Sequence, residues 1–247
     1  MCANARMHRL TPFITKTEKR HADVIKNMHK NTRRLFIVSG ILPILGVFAD
    51  PPTVMVILYS IFVFAYLWNE NKNAAAEIGK NKWVSLLVNA LIVLFVSETL
   101  AWLDNSFTRF KNPGALFSTN YIQNLVLGSG FYVGLAFGWF FVSRFYLFTT
   151  RQAFCVYGLC GIFLEQSGAV FAQAAAFFFV NPAVSLLLLL YVFLVHGSIS
   201  GLIYMYSKPV FTGTKNSFLK YPLAFLCLLA GIMIGSVLSG AVSRVLF

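Results

Sequence analysis

Seven apolar runs, separated by short polar segments, dominate the chain after residue 34. They cover about 35–49, 53–69, 83–103, 122–143, 153–179, 182–206 and 222–243. Most approach the roughly 20 residues that a helix needs to cross a bilayer. The pattern therefore predicts an all-α, polytopic integral membrane protein with about seven transmembrane helices. The first two runs could instead form a short hairpin that does not fully cross.

Composition excludes the main alternatives to this class. Apolar residues make up 58% of the 247 positions and charged residues only 11%, with a mean hydropathy of +0.72. A soluble domain of this size could not hide so much apolar surface from water. A membrane barrel would alternate polar and apolar residues and would average to a lower hydropathy.

The first 34 residues differ from the rest of the chain. They carry nine of the 20 basic residues, so we divide the protein into a basic cytoplasmic or interfacial segment, 1–34, and a transmembrane domain, 35–247. Residues 16–34 are expected to be partly helical. The segment should bind anionic lipid at the membrane surface. The net charge of +12 is read as charge that sets membrane orientation, not as a nucleic-acid surface.

The remaining basic residues orient the helices. With the N-terminus inside, 17 of the 20 basic residues fall on the cytoplasmic side, and only Arg109, Lys111 and Arg244 fall outside. Cytoplasmic loops carry such an excess. The sequence thus predicts an inside N-terminus and an outside C-terminus. It has no Asn-x-Ser/Thr site, which fits a bacterial or archaeal inner membrane or an organellar membrane.

Three ionisable residues lie well inside the apolar runs: Glu98, Glu165 and His196. Such groups are costly in a bilayer and indicate a functional site by default. Glu165 and His196 are placed symmetrically about the turn at Asn181 and Pro182, so two antiparallel helices would bring them to the same depth. Gly161 and Gly168 flank Glu165, and small residues let helices approach closely. We expect the pair to be in hydrogen-bond contact. This contact would either join the two helices structurally or form a proton or substrate site.

The same depth argument extends the candidate site. Glu98, Asn124 and Gln173 should lie near the outer level, and Gln166 neighbours Glu165. Glu98, Gln166 and Gln173 are therefore expected to line an approach from outside. Asn89 is expected to make an interhelical hydrogen bond.

Two further features concern packing and access. Gly231, Gly235 and Ser239 form a small-residue face on the last run, which favours tight helix packing or self-association, and so a homo-oligomer or a subunit of a membrane complex. The loop 104–121 carries three phenylalanines among polar residues. It is either an interfacial loop anchored by these rings or a lid over a cavity.

No motif for a metal, a cofactor or a nucleophile is present in the sequence. There is no HExxH, no GxSxG and no P-loop. We therefore expect no cofactor and no metal site. The leading hypothesis is a transporter or channel for a small solute or ion, proton-coupled through Glu165 and His196. The alternatives are an intramembrane enzyme doing acid–base chemistry on a lipid or isoprenoid, and a scaffold subunit of a membrane complex.

Overall fold

A computed structural model describes residues 32–47, 51–72, 82–107, 109 and 116–247. The basic segment 1–34 lies outside these residues except for its last three positions, which belong to the first helix. Residues 108 and 110–115 of the 104–121 loop and the connection 73–81 also lie outside them. The described part of the chain is all-helical apart from one isolated backbone bridge between Tyr146 and Lys215.

Eight helices follow one another along the described chain. They are α1 (32–47), α2 (Ile57–Lys72), α3 (Lys82–Phe107), α4 (Tyr121–Ser143), α5 (Thr150–Leu164), α6 (Ala169–Phe178), α7 (Pro182–Ser207) and α8 (Lys220–Leu246). Short 3₁₀ segments at Pro51–Val56, Glu165–Gly168 and Lys208–Val210 precede α2, α6 and the last loop.

Five helical stretches are long and apolar enough to cross a membrane: Trp83–Phe107, Tyr121–Ser143, Thr150–Phe178, Pro182–Ser207 and Lys220–Leu246. The stretch Val54–Asn69 is apolar but shorter. Large apolar side chains face outward on these helices. Met233, Ile234, Val237 and Leu238 of α8, for example, are each more than 60% exposed. Such surfaces are compatible with a multi-pass membrane protein, because monomers in water rarely expose large apolar patches.

Local sequence explains where the helices begin. Asn120 caps α4 by accepting a hydrogen bond from the Gln123 backbone N–H, and Thr149 forms a capping box with Gln152 at the start of α5. Asn181 caps α7 with Pro182 in its first turn. These residues supply the side-chain acceptors and the fixed backbone angle that a helix N-terminus favours.

Helix α7 lies at the centre of the bundle, where it contacts α2, α3, α5 and α6. Trp139 of α4 is fully buried and donates its indole N–H to Ser200 Oγ at 2.7 Å. Ser200 in turn donates to the Ala153 carbonyl oxygen of α5 at 3.1 Å. Asn89 of α3 donates to the Tyr206 carbonyl oxygen at 2.9 Å, which confirms its expected interhelical bond.

The small-residue face of α8 packs on α4 of the same chain. A Cβ atom added to Gly235 would overlap the Gly130 carbonyl oxygen, and one added to Gly231 would overlap that of Gly134. Ser239 donates to the Leu127 carbonyl oxygen at 2.9 Å. Of the two roles expected for this face, the structure gives it tight packing within the chain.

Lys220 is an unexpected buried cation. Its side chain is only 3% exposed. Nζ donates to the Leu147 carbonyl oxygen at 3.0 Å, to Gln152 Oε1 at 3.2 Å and to Asn216 Oδ1 at 3.0 Å. The ammonium thereby joins the α4–α5 connection to the segment before α8.

Candidate functional site

The fifth apolar run is broken, where the sequence predicts one continuous helix. Three successive residues at the break have positive φ angles: Gln166 at 49°, Ser167 at 57° and Gly168 at 87°. Glycine adopts this conformation freely, whereas the other two residues incur a cost of about 1 kcal/mol or more each. Backbone of this kind is tolerated at membrane depth only where it is enclosed by protein or lines a wet cavity.

The break places Glu165 beside His196 of α7. Glu165 Oε2 lies 3.2 Å from His196 Nε2, so the contact expected from the sequence is present. The side chains are 22% and 12% exposed, respectively, so neither is fully buried. Gly161 makes the approach possible, because a Cβ atom there would overlap the imidazole of His196.

The hydrogen bond at His196 Nδ1 limits where the hydrogens of the Glu165–His196 pair can lie. Nδ1 lies 3.1 Å from the Val192 carbonyl oxygen, which can only accept, so Nδ1 carries a hydrogen. In a neutral imidazole Nε2 is then an acceptor, and the Glu165 carboxyl must supply the hydrogen between them. In an imidazolium, Nε2 donates to the carboxylate instead. A pair that is hydrogen-bonded in either of these two ways is neutral overall.

Glu98 forms a second polar cluster and is only 4% exposed. Asn124 Nδ2 donates to Glu98 Oε2 at 2.7 Å, and the Tyr132 hydroxyl donates to Oε1 at 3.1 Å. The amide of Asn124 is oriented by the Phe117 backbone N–H, which donates to Oδ1 at 2.8 Å. The cluster therefore aims two donors at the carboxyl group of Glu98, with no basic side chain among its described contacts.

One cavity of about 320 Å³ joins the two clusters. Its size falls at the lower end of the range of small-molecule sites. Helices α3, α4, α5 and α7, the 3₁₀ segment before α2, the helix break and the end of the 104–121 loop line it. Its polar and aromatic lining residues are Glu98, Phe117, Phe131, Tyr132, Tyr157, Glu165, Gln166, Ser167, Tyr191 and His196.

The structure thus gathers four of the five candidate residues and separates one. Glu98, Glu165, His196 and Gln166 line the cavity. Gln173, expected to line the same approach, is exposed on α6 and borders a separate, smaller depression with Phe177 and Ser185. The reason is the helix break, since α6 does not continue the axis of α5 and so presents a different face.

Three tyrosines of the cavity were missed by the sequence reasoning. Tyr132, Tyr157 and Tyr191 lie in the interiors of α4, α5 and α7, although tyrosines of membrane proteins concentrate at helix ends near the interface. Their position in the interior of the apolar runs was the sequence feature that could have identified them. Tyr157 is fully buried, borders the cavity, and its hydroxyl has no hydrogen-bond partner among the described residues.

The described end of the 104–121 loop reaches the site. Leu116 and Phe117 form part of the cavity wall, and the hydrogen bond from Phe117 to Asn124 fixes that end to α4. Phe107, at the other end, is 57% exposed. Whether the loop serves as a lid or as an interfacial anchor stays a prediction.

A larger apolar groove of about 620 Å³ lies elsewhere, between α4 and α8. Its walls include Phe137, Phe141, Ile234 and Leu238, and none of the ionisable residues described above borders it. In the described part of the chain, no three His, Cys, Asp or Glu side chains are grouped so that they could hold a metal ion.

No protein-family model, curated protein or solved structure matches this chain.

Proposed function

We propose that this protein is a multi-pass membrane transporter or channel for a small solute or ion, coupled to protons through Glu165 and His196. One observation carries the proposal: a carboxyl–imidazole pair in contact lies at a helix break and lines a cavity of about 320 Å³. Transporter sites are typically formed by discontinuous helices, and ionisable residues within membrane helices mark substrate, ion and proton pathways.

The position of the cavity favours transport over the alternative functions. An enzyme acting on a lipid or isoprenoid would need an apolar channel of lipid size at its acid–base pair, but the large apolar groove lies between α4 and α8, away from Glu165. A scaffold subunit would need only the interhelical hydrogen bonds. It would not need two carboxyl groups around one cavity.

We further propose seven crossings with the N-terminus inside and the C-terminus outside, and a basic N-terminal segment held against anionic lipid on the inner surface. The orientation of α3 to α8 is the same whether α1 and α2 cross the membrane or form a hairpin, because both arrangements bring the chain back to the inner side before α3.

Labelling of single cysteines tests this orientation. Ser217 and Thr119 are both exposed, and the charge bias places the first inside and the second outside. In a background without the native cysteines, we expect Thr119→Cys to react with an impermeant thiol reagent in intact cells and Ser217→Cys to react only after permeabilisation. If Ser217→Cys reacted before permeabilisation and Thr119→Cys did not, the orientation would be the reverse of the one proposed.

A flux assay tests the proposed function. Purified protein is placed in liposomes that trap a pH-sensitive dye, and small cations, anions and neutral solutes are added one class at a time. We expect at least one class to change the internal pH with the wild-type protein. Glu165→Gln should abolish this change, because an amide can still donate a hydrogen bond to His196 Nε2 but cannot release a proton.

Two controls separate loss of function from loss of fold. The melting temperature of Glu165→Gln in detergent should stay near that of the wild type. Asp104→Asn is the matched carboxyl-to-amide change outside the cavity, and its side chain can still accept from the Val54 backbone N–H. It should retain the response. Wild-type behaviour of Glu165→Gln would refute proton coupling through the pair.

A further inference from the structure

The cavity contains one buried carboxyl group more than its own positive charge can balance. Glu165 has His196 as its partner at 3.2 Å, and an imidazolium–carboxylate pair of this kind is neutral overall. Among the described residues, Glu98 accepts hydrogen bonds from the neutral donors Asn124 and Tyr132 alone. The titratable side chains that face it across the cavity, from α4, α5, the helix break and α7, are Tyr132, Tyr157, Glu165, Tyr191 and His196. No lysine or arginine borders the described cavity.

An isolated ionised carboxylate is costly to bury, so its charge must be balanced. Two balancing species are available at Glu98: a proton on the carboxyl group, or a cation held in the cavity. The neighbouring pair cannot supply the charge without giving up its own neutrality.

The walls of the cavity indicate which kind of cation fits. Five aromatic rings border it, those of Phe117, Phe131, Tyr132, Tyr157 and Tyr191. Aromatic faces attract alkylated ammonium ions through cation–π contacts. A bare metal ion would instead need several oxygen ligands, and no group of three candidate ligands occurs among the described residues.

We propose that the cavity binds a small organic ammonium ion, with its charge on Glu98 and its alkyl groups against the aromatic rings, and that binding displaces the proton of Glu98. The exchange is balanced: protonated Glu98 plus the ammonium ion gives a Glu98 carboxylate–ammonium pair plus one free proton. This proposal rests on the proposed transport function, whose solute it would identify by class.

The experiment compares choline with its neutral isostere, 3,3-dimethylbutan-1-ol, on the full-length protein in weakly buffered detergent. We expect choline to raise the melting temperature and to release up to one proton per bound ion, as detected with a soluble pH dye. The alcohol should do neither. Glu98→Gln should weaken choline binding on the order of tenfold or more and abolish proton release, whereas Asp104→Asn should leave both unchanged.

The possible outcomes test the ammonium site and the transport function separately. Equal effects of choline and the alcohol, stronger stabilisation by acetate, or unaltered choline binding in Glu98→Gln would overturn the ammonium site. If Glu98→Gln does not fold, Phe131→Leu tests the site separately, because loss of a ring should weaken choline selectively. Choline-linked proton release without any pH change in liposomes would leave the ammonium site standing and refute transport. Solute-driven pH changes without choline binding would support transport and refute the ammonium site.

Discussion

Replacing Gly235 by alanine should be among the most destabilising single changes in this protein. The added Cβ atom would overlap the Gly130 carbonyl oxygen of α4. The obstacle is backbone, not the tip of a flexible side chain, so the two helices must move apart. Overpacking of this kind costs about 1–3 kcal/mol and occasionally more. Here it would also disturb the hydrogen bond from Ser239 to the Leu127 carbonyl oxygen.

Gly240 provides the matched control on the same helix. No atom lies within 4 Å of a Cβ atom built at this position, so an alanine there meets no neighbour. Alanine also favours a helix interior by about 0.5–1 kcal/mol over glycine. We therefore expect opposite signs: a markedly lower melting temperature for Gly235→Ala and an unchanged or higher one for Gly240→Ala. Similar melting temperatures for the two variants would refute the close contact between α4 and α8.

The second large effect is expected at Lys220. Replacement by methionine keeps most of the apolar stem but removes the ammonium, which leaves the Leu147 carbonyl oxygen and the Gln152 and Asn216 side-chain oxygens without this donor. Hydrogen bonds to charged groups are worth about 1.5–3 kcal/mol. We expect a clear fall in melting temperature and faster proteolysis of the connections before α5 and α8.

Lys215 offers the same change of charge in the same connection, but its side chain is exposed. Lys215→Met should therefore leave the melting temperature close to that of the wild type. Both lysines contribute equally to the positive-inside count, so both variants should affect membrane orientation to the same degree. An equal loss of stability in the two variants would show that charge alone, not the buried hydrogen bonds, is responsible.

The burial of Lys220 could not be predicted from the sequence. Its position between two apolar runs predicts only that it contributes to the charge that sets membrane orientation. Nothing in its neighbours indicates burial, because the acceptors that hold it come from residues about 70 positions earlier in the chain together with Asn216.

The sequence by itself predicted most of the helices and the contact between Glu165 and His196, although the fifth run forms two helices instead of one. Long apolar runs must become helices in a bilayer, since no water is present to satisfy the backbone. The tight turn at Asn181 and Pro182 then places Glu165 and His196 at one level, because both helices rise by the same distance per residue. The depth argument also grouped Asn124 with Glu98, which the structure joins at 2.7 Å.

The tertiary structure alone decided how each helix is rotated about its axis and where one helix breaks. In soluble proteins the alternation of polar and apolar residues reveals the buried face. Here the outward face is also apolar, as at Leu186 and Leu187 of α7, so the pattern carries no such information. The break at Gln166 and Ser167 requires left-handed backbone at residues that do not favour it, and it is this turn that directs Gln173 away from the cavity. The tyrosines around Glu98 are brought together by contacts between distant helices, which no local pattern encodes.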